Sequence, residues 1–266
     1  MKSSIKQQTD PVPGIPDEVK DGRPVARKGP KRLPRAERQA LVLSKAAAYF
    51  AEHGLTAQTR AIAQACGISQ RMLYSLFPSK AALVEAVYER EVAGIFKAMW
   101  FVDLQDRSVP LEKRLVKFYC DYYETVLTHR WLRLILYSSL ADLRMAPTYT
   151  NAIVTHTLEV VMAEAVDALK KGLPENRDEV AEIGWLLHGA VSHLAIRRRI
   201  YANENPTPVK QIIEMTVKAF LASLPALLPD ASDASAVPSS APAMPSLIGV
   251  KQVKKAAQTR SHKART

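Results

Sequence analysis

The fold is decided by the stretch Thr59-Arg60-Ala61-Ile62-Ala63-Gln64-Ala65-Cys66-Gly67-Ile68-Ser69-Gln70-Arg71-Met72-Leu73-Tyr74-Ser75-Leu76-Phe77-Pro78-Ser79-Lys80. Ile62, Ala63 and Cys66 share one face of a helix spanning Thr59 to Cys66, and Gly67 breaks it. Gly67 supplies the positive φ that a tight turn needs. Ser69 is a good N-cap for a next helix running through Phe77, with Ile68 and Leu73 placed to pack it on the helix before. Two short helices joined by Cys66-Gly67-Ile68-Ser69 form a helix-turn-helix, whose second helix would present its first residues to base edges in the major groove.

Working outward, Val42, Leu43, Ala46, Tyr49 and Phe50 recur at helical spacing before this unit, and Gly54 stops that helix. Pro78-Ser79 starts a fourth helix with Leu83, Val84, Val87 and Tyr88 as its apolar stripe. It is expected to run on toward Trp100. Beyond residue 97 longer helices are predicted at 110–128, 130–143, 147–171, 178–203 and 207–224, with prolines at or near several of the starts. No run alternates apolar and polar residues as a strand would. The expected fold is therefore all-α: a disordered basic tail over 1–33, a helix-turn-helix domain over 34–97, a larger helical domain over 98–228, and an Ala/Ser/Pro and basic tail over 229–266.

Composition narrows the function classes. The formal charge is +11, but residues 1–38 carry +5 and residues 229–266 carry +4, so the intervening chain is only +2. Charge alone is thus weak support for a nucleic-acid-binding core, and the motif must carry that reading. No apolar run is long enough to span a membrane, and no signal core opens the chain. With two cysteines, Cys66 and Cys120, a reduced cytoplasmic setting is expected, nucleoid-associated when on DNA. No nucleophile–base pair, phosphate loop or metal-ligand cluster is legible, so no enzyme activity, catalytic residue or cofactor is expected. His188 and His193 are five apart, a poor fit to one helical face, and no metal is expected either.

Tyr49-Phe50-Ala51-Glu52-His53-Gly54, Thr59-Arg60-Ala61-Ile62-Ala63, Gly67-Ile68-Ser69, Leu73-Tyr74, Phe77-Pro78-Ser79-Lys80 and Leu83 together resemble the DNA-binding domain of the tetracycline-repressor (TetR) family, over roughly residues 38–88. The chain departs from the family pattern at Arg71-Met72, Leu76 and Ala81, which alters base preference and leaves the packing positions intact. The resemblance implies a homodimer on a double-stranded operator, with a larger domain that binds a small-molecule effector. It implies that Tyr74 and Lys80 hold phosphates, and that Thr59 and Arg60 touch backbone or a base at the start of the second helix.

Residue chemistry adds to this. Gln70 can pair with adenine and Arg71 with guanine through two hydrogen bonds each, with Ser69 and Ser75 beside them. Arg71 contacting only phosphate is the main rival. In the larger domain Tyr122, Tyr123, Trp131, Tyr137, Trp185 and His188 are polar-tipped groups in apolar helices and candidate liners of an effector pocket. Trp100 and Tyr119 share that character. Small residues Gly184, Gly189, Ala190 and Ser192 in helix 178–203, with Ile212, Met215, Phe220 and Leu224 in helix 207–224, are candidates for a four-helix subunit interface. The function expected is a transcriptional repressor released from its operator by a small molecule. The alternative is a constitutive DNA-organising or protein-recruiting factor with no inducer.

Overall fold

The computed structural model describes residues 33–141, Tyr149 and residues 153–231. All but a few residues of the two expected tails, and the first residues of the helix expected at 147–171, lie outside that range. The described residues form helices with no strand among them, as the sequence pattern implies.

The N-terminal head contains α1 (Arg35–His53), α2 (Thr59–Cys66), α3 (Gln70–Leu76) and α4 (Lys80–Glu91). Val42, Ala46, Ala47, Phe50 and Ala51 of α1 are buried against Ile62, Ala63 and Cys66 of α2, Leu73 and Leu76 of α3, and Leu83 and Val87 of α4. Gly67 adopts φ 73° and ψ 31°. Its N–H donates to the Gln64 carbonyl and that of Ile68 to the Ala63 carbonyl, both at 3.0 Å. This paired closure satisfies two helix-end carbonyls and requires the left-handed conformation that glycine adopts without strain. Ser69 Oγ accepts from the Met72 N–H and Ser79 Oγ from the Ala82 N–H, each at 3.1 Å, so both helices after the turn are capped by serine.

The fourth helix does not run on to Trp100. It ends at Glu91, and a single 3₁₀ turn at Ala93–Ile95 leads into a separate short helix, α5 (Met99–Gln105), which the apolar pattern did not reveal. Val92, buried at the break, closes α4 through its N–H to the Tyr88 carbonyl at 3.0 Å.

The body continues with α6 (Leu111–Thr125), α7 (His129–Leu140), α8 (Thr155–Leu169), α9 (Arg177–Arg199) and α10 (Val209–Leu227). Thr128 caps α7 through the Trp131 N–H at 3.2 Å and Asn176 caps α9 through the Asp178 N–H at 2.9 Å. Helix α10 extends past the predicted end at 224 and contains Pro225 in its last turn. Residues expected to begin the C-terminal tail are tied back to the α8–α9 turn. The Gly172 N–H donates to the Pro229 carbonyl at 2.9 Å, and Lys171 Nζ to Asp230 at 2.5 Å. Arg114 and Glu164, both buried, pair at 2.7 Å across α6 and α8, with Arg107 adding a second cation to the carboxylate at 3.0 Å.

Head and body meet along α1 and α7. Arg133 of α7 donates to the carbonyls of Ala51 and Glu52 at the end of α1 and to the Tyr137 hydroxyl. Arg130, three residues before it, faces Glu91 at the end of α4 at 3.6 Å.

The small residues of α9 need a correction. Gly184 is buried in the chain's own core, where a Cβ would meet Leu158 of α8 at 3.2 Å, so its smallness serves the α8–α9 crossing. Phe220 and Leu224 are likewise core residues. The apolar residues that α9 and α10 leave exposed include Leu186 and Ala190 on one and Met215, Ala219, Ala222 and Ala226 on the other.

Candidate nucleic-acid interface and body site

Thr59, Arg60, Ser69, Gln70, Arg71, Tyr74, Ser75 and Lys80 cluster at the α2 N-terminus, along α3 and at the start of α4. All are exposed or half-buried. Three of them are joined before any DNA arrives. Gln70 Nε2 donates to Thr59 Oγ1 at 2.9 Å, and the Thr59 and Tyr74 hydroxyls lie 3.2 Å apart. This triad ties the first turn of α2 to α3 and holds the Tyr74 ring out from the surface, at 43% exposure. Ser69 is spent as a cap. Ser75 turns its hydroxyl back to the Met72 carbonyl at 2.8 Å. Met72 packs half-buried against the head core.

Arg60, Arg71 and Lys80 differ from these, since none makes a hydrogen bond or ion pair among the described residues. Arg71 therefore has all its donors available, whereas Gln70 must exchange or share its bond to Thr59 to reach a base edge. The triad was not legible beforehand, because it depends on the rotamers of residues eleven and fifteen apart. Arg35 is the first residue of α1 and is held within the fold. Its guanidinium donates to the Ser75 carbonyl at 3.1 Å, pinning the start of α1 to the end of α3.

The aromatic residues of the body are not all brought together. Tyr122 and His188 are, with ring centroids 5.3 Å apart, and Trp185 stands edge-on to His188 at 5.2 Å. Trp131 joins through Tyr149, whose ring is 5.1 Å from the indole and whose hydroxyl lies 3.2 Å from that of Tyr122. Tyr123 lies beneath the Arg199 guanidinium at 4.2 Å. Tyr137 stands apart at the head–body joint, with Arg133 over its ring at 5.2 Å. Trp100 stands edge-on to Tyr122 at 5.9 Å, with its indole N–H committed to Asp121 at 2.6 Å. Tyr119 belongs to the cluster, 5.9 Å from His188 and one helical turn before Tyr122, a spacing that could have marked it. Desolvation pushes the His188 pKa down to about 4 and those of Tyr119 and Tyr122 well up, so all three are neutral near pH 7.

Three helices around a glycine turn, capped by Ser69 and presenting free arginines, define a helix-turn-helix DNA-binding head. Residues 42–87 match the family model described as bacterial regulatory proteins, tetR family, so the head is a DNA-binding domain of that type. The chain is a DNA-binding transcriptional regulator. No curated protein matches it in sequence. Among solved structures it is similar to a TetR-like transcriptional regulator from Rhodococcus sp. RHA1, with 20% identity, TM-score 0.52, and 72% of this chain and 99% of that one covered. It is also similar to a tetR-family regulator from Streptomyces coelicolor, at 20% identity and TM-score 0.50, covering 73% and 83% of the two chains. The ketosteroid transcriptional regulator KstR2 of Mycobacterium tuberculosis aligns at 21% identity and TM-score 0.50, covering 70% and 94%. These likenesses establish the fold of head and body together. No described helix is long and apolar enough to cross a membrane.

Proposed function

We propose that the protein is a homodimeric repressor in the cytoplasm whose hold on its operator is released by a small molecule bound in the body. The observation that carries this reading is the joint between the two parts. Arg133 and Arg130 of one body helix grip the ends of both α1 and α4, so a body that changes shape re-aims the head.

In this reading Arg71 reads a base, Gln70 does so after giving up Thr59, and Arg60, Tyr74 and Lys80 hold the backbone. Dimerisation is supported by the apolar stripe of α10 (Met215, Ala219, Ala222, Ala226) beside Leu186 and Ala190 of α9. Leu186 and Met215 are 56% and 60% exposed in the single chain, a surface that a second copy would cover. The two recognition helices would then sit about 34–36 Å apart, one turn of B-DNA, or a multiple of it.

The test is selection of bound duplexes from a random pool with the full chain, followed by light scattering of the complex. A two-fold symmetric site bound by two chains is expected. A single half-site bound tightly by a monomer would refute the dimer, and failure to enrich any sequence would refute operator recognition.

A further inference from the structure

The body buries several polar side chains, and it pairs almost all of them with care. Arg114 meets Glu164, the Ser138 hydroxyl donates to the Ile135 carbonyl at 2.7 Å, and Thr157 donates to the Ile153 carbonyl at 2.9 Å. Among the described residues three buried atoms are exceptions, with no hydrogen-bond partner: the Tyr119 hydroxyl, the Trp131 indole N–H and His188 Nδ1. A polar atom left in that state costs about 1–3 kcal/mol, so three in a core that satisfies its other groups call for a reason.

They are not scattered. His188 of α9 faces Tyr119 and Tyr122 of α6, Tyr122 meets Tyr149 through the two hydroxyls, and Tyr149 packs edge-on against Trp131 of α7. One connected aromatic cluster from three helices thus holds every orphaned side-chain atom among the described residues.

Their chemistry selects a partner. The indole can only donate, so it asks for an acceptor. The Tyr119 hydroxyl donates or accepts, and the neutral imidazole does whichever its tautomer allows. The charged side chains buried in the described residues, Arg114 and Glu164, are committed to each other, leaving no counter-ion here for a charged ligand. Burial that holds His188 unprotonated would penalise a ligand's charge in the same way.

The geometry points to an effector site at Tyr119, Trp131 and His188 that takes a neutral aromatic molecule bearing a hydroxyl group. The ligand oxygen accepts from the Trp131 indole, and its O–H donates to the imidazole nitrogen or the Tyr119 oxygen. This assignment rests on the reading of the body as an effector domain, and adds to it the ligand's class and the atoms that recognise it.

Binding of 2-naphthol to the full chain at pH 7 tests the site, with naphthalene and 2-naphthoate as controls that lack the hydroxyl or carry a charge. Naphthol should bind at one site per chain, and each control about tenfold more weakly or worse. Tyr119→Phe should weaken naphthol binding roughly threefold to tenfold while leaving the Tm unchanged or raised, since it removes an orphaned hydroxyl. A merely structural tyrosine would lose Tm instead. Equal binding of the three probes, no binding of naphthol, or an unchanged naphthol affinity in Tyr119→Phe would overturn the assignment. These measurements involve no DNA. A chain that binds naphthol but enriches no operator refutes the regulatory reading alone, and the converse result refutes only the site.

Discussion

Replacing Arg71 with alanine should be the most damaging single change to sequence reading that leaves the fold intact. Arg71 is exposed near the start of α3 and makes no bond among the described residues, so its loss removes nothing from the folded state. A bidentate contact to guanine is worth about 1–3 kcal/mol of discrimination, and a dimer applies it twice, giving about 2–6 kcal/mol or at least about 30-fold in operator affinity. Gln70→Ala should cost less. Wild-type Gln70 must first exchange its 2.9 Å bond to Thr59, worth about 0.5–1.5 kcal/mol net, which offsets part of any gain at adenine. The assay is fluorescence anisotropy at fixed salt on the selected operator, on single-base variants and on random duplex. The expected result is a large loss for Arg71→Ala on the operator, a small loss on random DNA, and an intermediate operator loss for Gln70→Ala. If Arg71→Ala weakens operator and random DNA by the same factor, the guanidinium holds phosphate and the base-reading argument fails.

Lys80→Ala should weaken binding to every sequence alike and flatten the slope of log affinity against log salt by about 0.9 for each phosphate no longer neutralised. Gly67→Ala meets no atom within 4 Å, so its cost is the left-handed conformation alone, about 1–2 kcal/mol in thermal denaturation, and Gly67→Asn should recover part of it. The depressed His188 pKa, from the ordinary 6.5 to about 4, means that the unfolded chain binds a proton the fold does not. Stability from this group is therefore complete above pH 6.5 and falls by about 3 kcal/mol as the pH drops to 4, a slope that His188→Leu should remove from a pH series of denaturation curves. Arg133→Ala should release the end of α1 from α7, read as faster amide exchange at Gly54 and Leu55 with the body core unchanged.

The head was nearly transparent in the sequence because each of its decisions is local. Gly67 can close α2 only one way, Ser69 and Ser79 cap the helices that begin beside them, and the apolar residues of α1 fall on one face whatever they pack against. The body was legible as helices but not as packing. Its break after Glu91 carries Gly94 in the 3₁₀ turn, where a Cβ would meet the Glu89 carbonyl at 2.9 Å, but a lone glycine inside an apolar helical pattern does not by itself announce a break. Val92 is buried at the break, where its N–H closes α4 on the Tyr88 carbonyl, and burial at one residue is a tertiary fact. Gly184 shows the same limit from the other side: a small residue announces a close approach, but which helix approaches is settled by Leu158, twenty-six residues away.

The route between body and head moved for the same reason. From the sequence, α4 was the natural connection, because it was expected to leave the head and run unbroken toward Trp100. With α4 ending at Glu91 and a 3₁₀ turn behind it, a rigid push along that helix has no continuous rod to travel through. Helix α7 offers one. Trp131 reaches the aromatic cluster from it, while Arg130 and Arg133, one residue before and two after, face the ends of α4 and α1. Residues so close on one helix cannot move independently, so a displacement of Trp131 by even a fraction of a turn changes how the guanidinium groups meet both head helices. Main-chain carbonyls at the end of α1 are the hydrogen-bond acceptors for Arg133, which ties the joint to backbone position, and the Glu52 carboxylate adds an ion pair at 3.8 Å.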